Sequence, residues 1–105
     1  MTALDALNQH RLNAGLSPLM EDADLLQLAE ARAVQIVDCY EHGEGLPASE
    51  VMTIMRGNPD PAAVIWEWLG WPQHRSILLA PLATRAGFGS FERDGQTYWV
   101  GLIGG

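Results

Sequence analysis

Imidazole, thiol and carboxylate are the groups in this chain that could do chemistry. Histidines stand at positions 10, 42 and 74, a lone cysteine at 39, and there are 13 acidic residues. His74 and Arg75 lie in the stretch Ala62 to Leu79, AAVIWEWLGWPQHRSILL. Its first half reads as a helix with Val64, Ile65, Trp68 and Leu69 on one core-facing stripe. Asp60 is its expected N-cap and Pro61 its first residue, where a missing N–H costs nothing. Gly70 and Pro72 stop it. Pro-Gln-His-Arg then reads as a turn that delivers His74 and Arg75 from a rigid platform, with Arg75 expected to pair with a carboxylate and fix that turn. His42 sits in Glu41-His42-Gly43-Glu44-Gly45, where two glycines let the chain turn after a long helix. No tight His-x-x-x-His pair is present, so the histidines are no metal signature by themselves. His10, on the first helix, reads as a surface or packing residue. Cys39, alone, excludes a disulfide framework and a thiolate metal cluster and reads as packing. No Ser-His-Asp or Cys-His arrangement can be read.

The elements that must position these groups belong to one domain, residues 1–105, with a hydrophobic fraction of 48%. A net charge of -7 with only 6 basic residues argues against nucleic acid and anionic membrane surfaces as partners, since phosphate binding runs on Lys and Arg. No apolar run approaches the ~20 residues of a membrane helix. The start, MTALDALNQHR, has no basic segment followed by an apolar one, and so reads as lacking a signal peptide.

Thr2 to Ala14 predicts a first helix, opened by a Thr2/Asp5 capping box and closed by Gly15. Leu16 to Met20 is an extended link, because Pro18 disfavours helix at Ser17; Leu19 and Met20 could form a short edge strand. Asp22 to Tyr40 is the longest helical pattern, with Leu25, Ala29, Ala33, Ile36 and Tyr40 near the 3.6 period and Asp22 or Asp24 as cap. Pro47 to Met55 predicts another short helix beginning near Ser49. Arg93-Asp94-Gly95-Gln96 between two β-prone runs predicts a hairpin with strands at about 86–93 and 97–103. Glycines in those strands allow close backbone approach. Helices first and a hairpin last make an α+β protein packed in layers. Trp68 is the expected core tryptophan; Trp66 or Trp71 would be partly exposed and line a binding surface.

Together these residues resemble the CAP superfamily (cysteine-rich secretory proteins, antigen 5 and pathogenesis-related 1 proteins), and in particular its short bacterial SCP-like domains. Asn8, Arg11, Gly15, Leu16, Pro18 and Leu19 match the Asn-x-x-Arg…Gly-Leu-x-Pro-Leu pattern. Asp22 precedes an Ala-rich helix. Trp68, Pro72, His74, Arg75, Ile77 and Leu78 match Trp-x-x-x-Pro-x-His-Arg-x-x-Ile-Leu, and Gly87, Gly89 and Tyr98-Trp99-Val100 match the closing strands. The resemblance implies an α-β-α sandwich with a small three-stranded antiparallel sheet between helical layers, Leu19–Met20 being the third strand. It also implies a secreted or periplasmic protein.

For the site, the resemblance implies a cleft lined by His42 and His74. Glu50, in Ala48-Ser49-Glu50-Val51, matches the first acidic residue of the family cleft, and Glu44 is a possible substitute near His42. The second acid of many relatives falls at Trp71, which carries no charge. Two neutral imidazoles and a carboxylate could hold a divalent metal with open positions, and zinc suits that set; alternatively both histidines merely orient helix ends. Two functional classes follow. One is a secreted, non-catalytic binding or interaction module for a small molecule, lipid, peptide or cell-envelope component. The other is a peptidase- or esterase-type hydrolase using a metal or a His–Glu pair. The missing acid favours the module. The oligomeric state is open.

Overall fold

A computed structural model describes all 105 residues. Helix α1 (Ala3–Asn13) opens with the expected capping box: the Asp5 amide donates to Thr2 Oγ1 and the Thr2 amide to the Asp5 carboxylate, both at 3.1 Å. These bonds hold the Asp5 carboxyl below its ordinary pKa. Strand β1 (Met20–Glu21) follows, then α2 (Ala23–Asp38), β2 (Ser49–Arg56), α3 (Pro61–Leu69), α4 (Pro72–Leu78), β3 (Arg85–Arg93) and β4 (Gln96–Gly104). No helix is long and apolar enough to cross a membrane.

The sheet runs β1-β3-β4-β2. β3 and β4 form the expected hairpin, closed by Asp94 and Gly95 at φ 53° and 79°, the left-handed pair that matches strand twist. β2 pairs antiparallel with β4 over its whole length, Ser49 opposite Ile103 to Arg56 opposite Gln96. Residues 47–55 are thus no helix. Val51, Met52, Ile54 and Met55 fit either period, and the β-branched Val51, Thr53 and Ile54 gain more from a pleated surface beside β4. The sheet also has four strands, not three antiparallel ones. β1 lies parallel to β3, with Met20 opposite Arg85. The side chain of Asn8 sets it up: its amide donates to the Leu19 carbonyl at 3.0 Å and its oxygen accepts from the Leu19 amide at 2.7 Å.

Helices cover both faces, as the resemblance implies. On one face Ala3, Leu7, Val64, Ile65, Trp68 and Leu78, from α1, α3 and α4, pack with Val51, Ala86 and Trp99 of the sheet. Trp68 is fully buried, its ring stacked near Phe88 with centroids 6.1 Å apart. On the other face Leu25, Ala29, Ala33 and Ile36 of α2 pack on Met52, Val100 and Leu102. Each fully buried aliphatic side chain contributes about 1.5–3 kcal/mol. Helix α2 can lie this close because β3 carries glycines beneath it. A Cβ at Gly87 would stand 2.2 Å from the Leu26 amide nitrogen, and one at Gly89 2.4 Å from that of Glu30.

Two further expectations shift. The long helix ends at Asp38, and Tyr40 is exposed beyond it. Residues 72–78 form a helix rather than a turn: Pro72 occupies the first position of α4, so its ring starts the helix. His74 and Arg75 are therefore helical residues.

Candidate functional site

The site is assembled around a buried carboxylate. Glu50 is the second residue of β2, and its side chain is only 2% exposed. The residue that meets it is Arg32, on the buried face of α2. Arg32 Nε donates to Glu50 Oε2 at 2.7 Å and Nη2 to Oε1 at 3.2 Å. This two-pronged contact is the strong form of the ion pair. Arg32 also donates to Gln35 Oε1 at 2.8 Å and to the Glu41 carbonyl at 2.7 Å, which ties the chain leaving α2 to the helix. Gly43 makes room for it, since a Cβ there would stand 2.9 Å from Arg32 Nε.

Two more donors converge on the same carboxylate. The Gly43 amide donates to Oε1 at 3.0 Å, and His42 Nδ1 lies 3.1 Å from Oε1. A carboxylate can only accept, so the proton of neutral His42 resides on Nδ1 and its Nε2 is left as an acceptor. The His42 side chain is 61% exposed. Burial alone would push the Glu50 carboxyl up, but the bonds from Arg32, Gly43 and His42, with the Arg32 charge, hold it below its ordinary value. Glu50 is thus held in its ionised form by four hydrogen bonds.

His74 stands on α4. Its Nδ1 is buried without a hydrogen-bond partner. Burial, and then the charge of His42, lower its pKa; the carboxylate of Glu67 works the other way. His42, Gly43, Leu46, Ala48, Ser49, Glu50 and Ile77, the last one turn beyond His74, line an open depression of about 370 Å³.

The remaining candidates divide. Glu44 is exposed and bonds to none of these groups. Trp71 and Trp66 are both exposed. Trp71 Nε1 donates to Glu67 Oε1 at 3.3 Å. Arg75 is exposed and makes no ion pair; it lines a hollow beside His10 instead. Cys39 is exposed, not packed, with its thiol pKa raised by the neighbouring Glu41.

Arg32 is the residue that sequence reasoning missed. Its signal was a cation on the stripe Leu25, Ala29, Ala33, Ile36, facing a lone acid in the apolar strand around Val51 and Met52. Buried charges need partners, and these two answer each other. Among His, Cys, Asp and Glu, no group of three is placed to hold a metal ion.

The model of the cysteine-rich secretory protein family, CAP, matches residues 4–103. No curated protein matches the sequence. Among solved structures, an outer surface protein from Borrelia burgdorferi superposes with a TM-score of 0.75 at 17% identity, covering 96% of this chain and 87% of that one. The crystal structure of NaASP2 with Zn2+ gives a TM-score of 0.81 at 13% identity, covering 97% and 76%. An extracellular protein containing a SCP domain from Bacillus anthracis gives 0.68 at 20% identity; this chain covers 39% of it and is itself 98% covered. At such identities the likeness is one of fold.

Proposed function

The chain belongs to the cysteine-rich secretory protein family, CAP, and from that premise we propose that it is a non-catalytic binding module acting outside the cytoplasm. Relatives of this fold include outer-surface and extracellular proteins, which supports that placement. Its ligand, a small molecule, lipid, peptide or cell-envelope component, enters the depression above Glu50, between His42 and Ile77.

One observation carries this reading: Glu50 is buried and takes four hydrogen bonds, three on Oε1 and one on Oε2. The carboxylate receives Arg32 twice, Gly43 and His42. Such a group orients its neighbours; it is not a free base. The same commitment bears on metal. A catalytic zinc takes three protein ligands, and with Glu50 engaged the cleft offers two imidazoles. That donor set does not fit a catalytic zinc. It suits a loosely held, exchangeable divalent ion, with Glu50 behind His42 as the carboxylate that orients a ligating histidine.

The second reading, a hydrolase, is favoured by the His42–Glu50 contact, which leaves Nε2 of His42 facing outward as a base. In that reading His42 activates water, and the Ser49 hydroxyl lines the same depression.

Two measurements test the proposal. Purified protein is assayed against amide and ester substrates; the module reading expects no turnover, whereas turnover abolished by His42→Ala would replace it with the hydrolase. A thermal melt with EDTA, then Zn2+, expects a rise in Tm that is lost in His42→Ala/His74→Ala, because binding to the native state stabilises by mass action. The rise should fade below about pH 6.5 as imidazole protonates. A flat response at every pH removes the ion from the reading and leaves organic ligands.

A further inference from the structure

A second site lies away from the Glu50 cleft, where α1 meets the end of α3 and the start of α4. Two adjoining hollows of about 190 and 300 Å³ share His10, Leu69 and Arg75; Trp66 and Gly70 complete the first and Asn13 borders the second. We propose that this is a binding site for an acidic sugar, a ring bearing a carboxylate, and that it operates independently of the His42 cleft.

Three observations converge on that class. The first is an aromatic platform. Trp66 is 71% exposed on α3, with the His10 imidazole beside it, 6.0 Å away and tilted by 39°. Exposing so much indole forgoes burial that a core position would give. A ring open to water suits the apolar face of a sugar, while polar groups at the rim meet its hydroxyls. His10 and Asn13 are such groups.

The second is an uncommitted cation. The chain has 6 basic residues against 13 acidic ones, and its arginines are mostly engaged. Arg11 is held by carbonyls, Arg32 by Glu50, Arg85 by Asp22 and Arg93 by Asp38 and Asp94; Arg56, on β2, is also unpaired but lines neither hollow. Arg75 has neither carboxylate nor carbonyl, and no Asp or Glu lines either hollow. In a protein of net charge -7, a guanidinium without an acid beside it is a place prepared for an anion. Its planar fork matches a carboxylate in particular.

The third is Gly70, between platform and cation. Its φ of -74° and ψ of -11° are ordinary right-handed values that any residue adopts, so the backbone does not demand glycine there. A Cβ would meet two backbone carbonyls, that of Glu67 at 3.3 Å and that of Trp66 at 3.9 Å. The missing side chain serves to keep the floor open between Trp66 and Arg75.

The test is a titration followed by two-dimensional NMR of the backbone amides and tryptophan indoles, with methyl glucuronide as probe. Methyl glucoside (no acid) and hexanoate (no ring) are the comparisons. Methyl glucuronide should shift the Trp66 indole and the Gly70 amide with millimolar affinity, and each comparison compound should bind at least about tenfold more weakly, one charge-assisted contact or one ring contact having been lost. Arg75→Gln should lose the preference for glucuronide over glucoside, Trp66→Ala the binding itself, and His42→Ala neither. No shift of the Trp66 indole up to roughly 50 mM probe, a range well past millimolar affinity, overturns the proposal. So does equal binding of glucoside and glucuronide, or a preference that survives Arg75→Gln. Hexanoate binding as well as glucuronide would make the site one for simple carboxylates and also overturns it. Each variant's amide spectrum reports separately that it is folded.

Discussion

Arg11 and Arg32 are both buried, and they solve the problem of a buried cation differently. Arg11 is fully buried and touches no carboxylate; its guanidinium donates to the carbonyls of Ser17, Leu78 and Ala80 at 2.8 to 3.0 Å. Two of those carbonyls lie at the C-terminal end of α4, where unpaired oxygens carry the negative end of the helix dipole. The partial charges of backbone offset the cation, at the expense of a guanidinium pKa lowered by burial. Arg32 instead faces a full negative charge on Glu50. The difference separates architecture from site. The Arg11 bonds end on backbone, and clamp the exit of α1 to the end of α4. The Arg32 bonds end on a side chain that in turn holds Gly43 and His42, so the order it imposes reaches the surface of the cleft.

The largest effect should come from cutting the second arrangement. Arg32→Met leaves Glu50 ionised, buried and unpaired, and should cost about 3–5 kcal/mol in urea unfolding at unchanged m-value. Replacing both partners, Arg32→Met with Glu50→Leu, should recover most of that, since a buried ion pair contributes little over apolar groups of similar shape. The double variant should still lose the fixed tautomer of His42, visible in its imidazole nitrogen chemical shifts. Were Arg32→Met to cost no more than the equivalent change at Arg11, the distinction between the two arginines would be wrong.

That equivalent change is Arg11→Met. It removes a buried charge along with its donors and strands three carbonyls, for an expected loss of about 1–3 kcal/mol by the same measurement. The imidazole shifts of His42 should not move. A change in them would mean that the clamp on α4 also positions the cleft, making the two arginines one system.

The local parts of this molecule are the parts that its sequence discloses. The Thr2/Asp5 box, the Asp60-Pro61 start of α3, the Trp68 stripe and the Asp94-Gly95 turn each complete their own bonds within a few residues. What stays hidden depends on partners far along the chain. β2 is a strand because β4, more than forty residues later, lies beside it; its own residues suit either period. β1 has two residues and owes its place to Asn8 and to bonds from the Met20 and Asp22 amides to Thr84 and Ala86. His42, His74 and Glu50 could be named by resemblance alone. Arg32 could have been named from physics, by asking what a cation on the apolar stripe of α2 must face.

The smallest effect concerns His74, whose charge is optional where those of the arginines are not. Its pKa lies below the ordinary 6.5 because burial, and then His42, disfavour the protonated form. The folded state therefore holds its proton less tightly than the unfolded chain. The resulting stability is fully present above about pH 6.5 and is lost as pH falls from there through the folded pKa. Glu50 acts in the same direction but lower, its contribution present above the unfolded value near 4.5 and lost as pH falls through its depressed folded value. Urea midpoints measured between pH 7.5 and 5.5 (a range chosen to bracket the imidazole and exclude the carboxylate) should decline by less than about 1 kcal/mol in stability, a small figure because His74 is only partly buried. In His74→Gln that decline should be reduced. It should persist in Arg11→Met, where the cleft is intact. It should shrink in His42→Ala, because after burial the neighbouring imidazole is what opposes protonation of His74. A decline unchanged by both histidine substitutions would show that the two imidazoles do not share a cleft, and would confine the order imposed by Arg32 to Glu50 and His42.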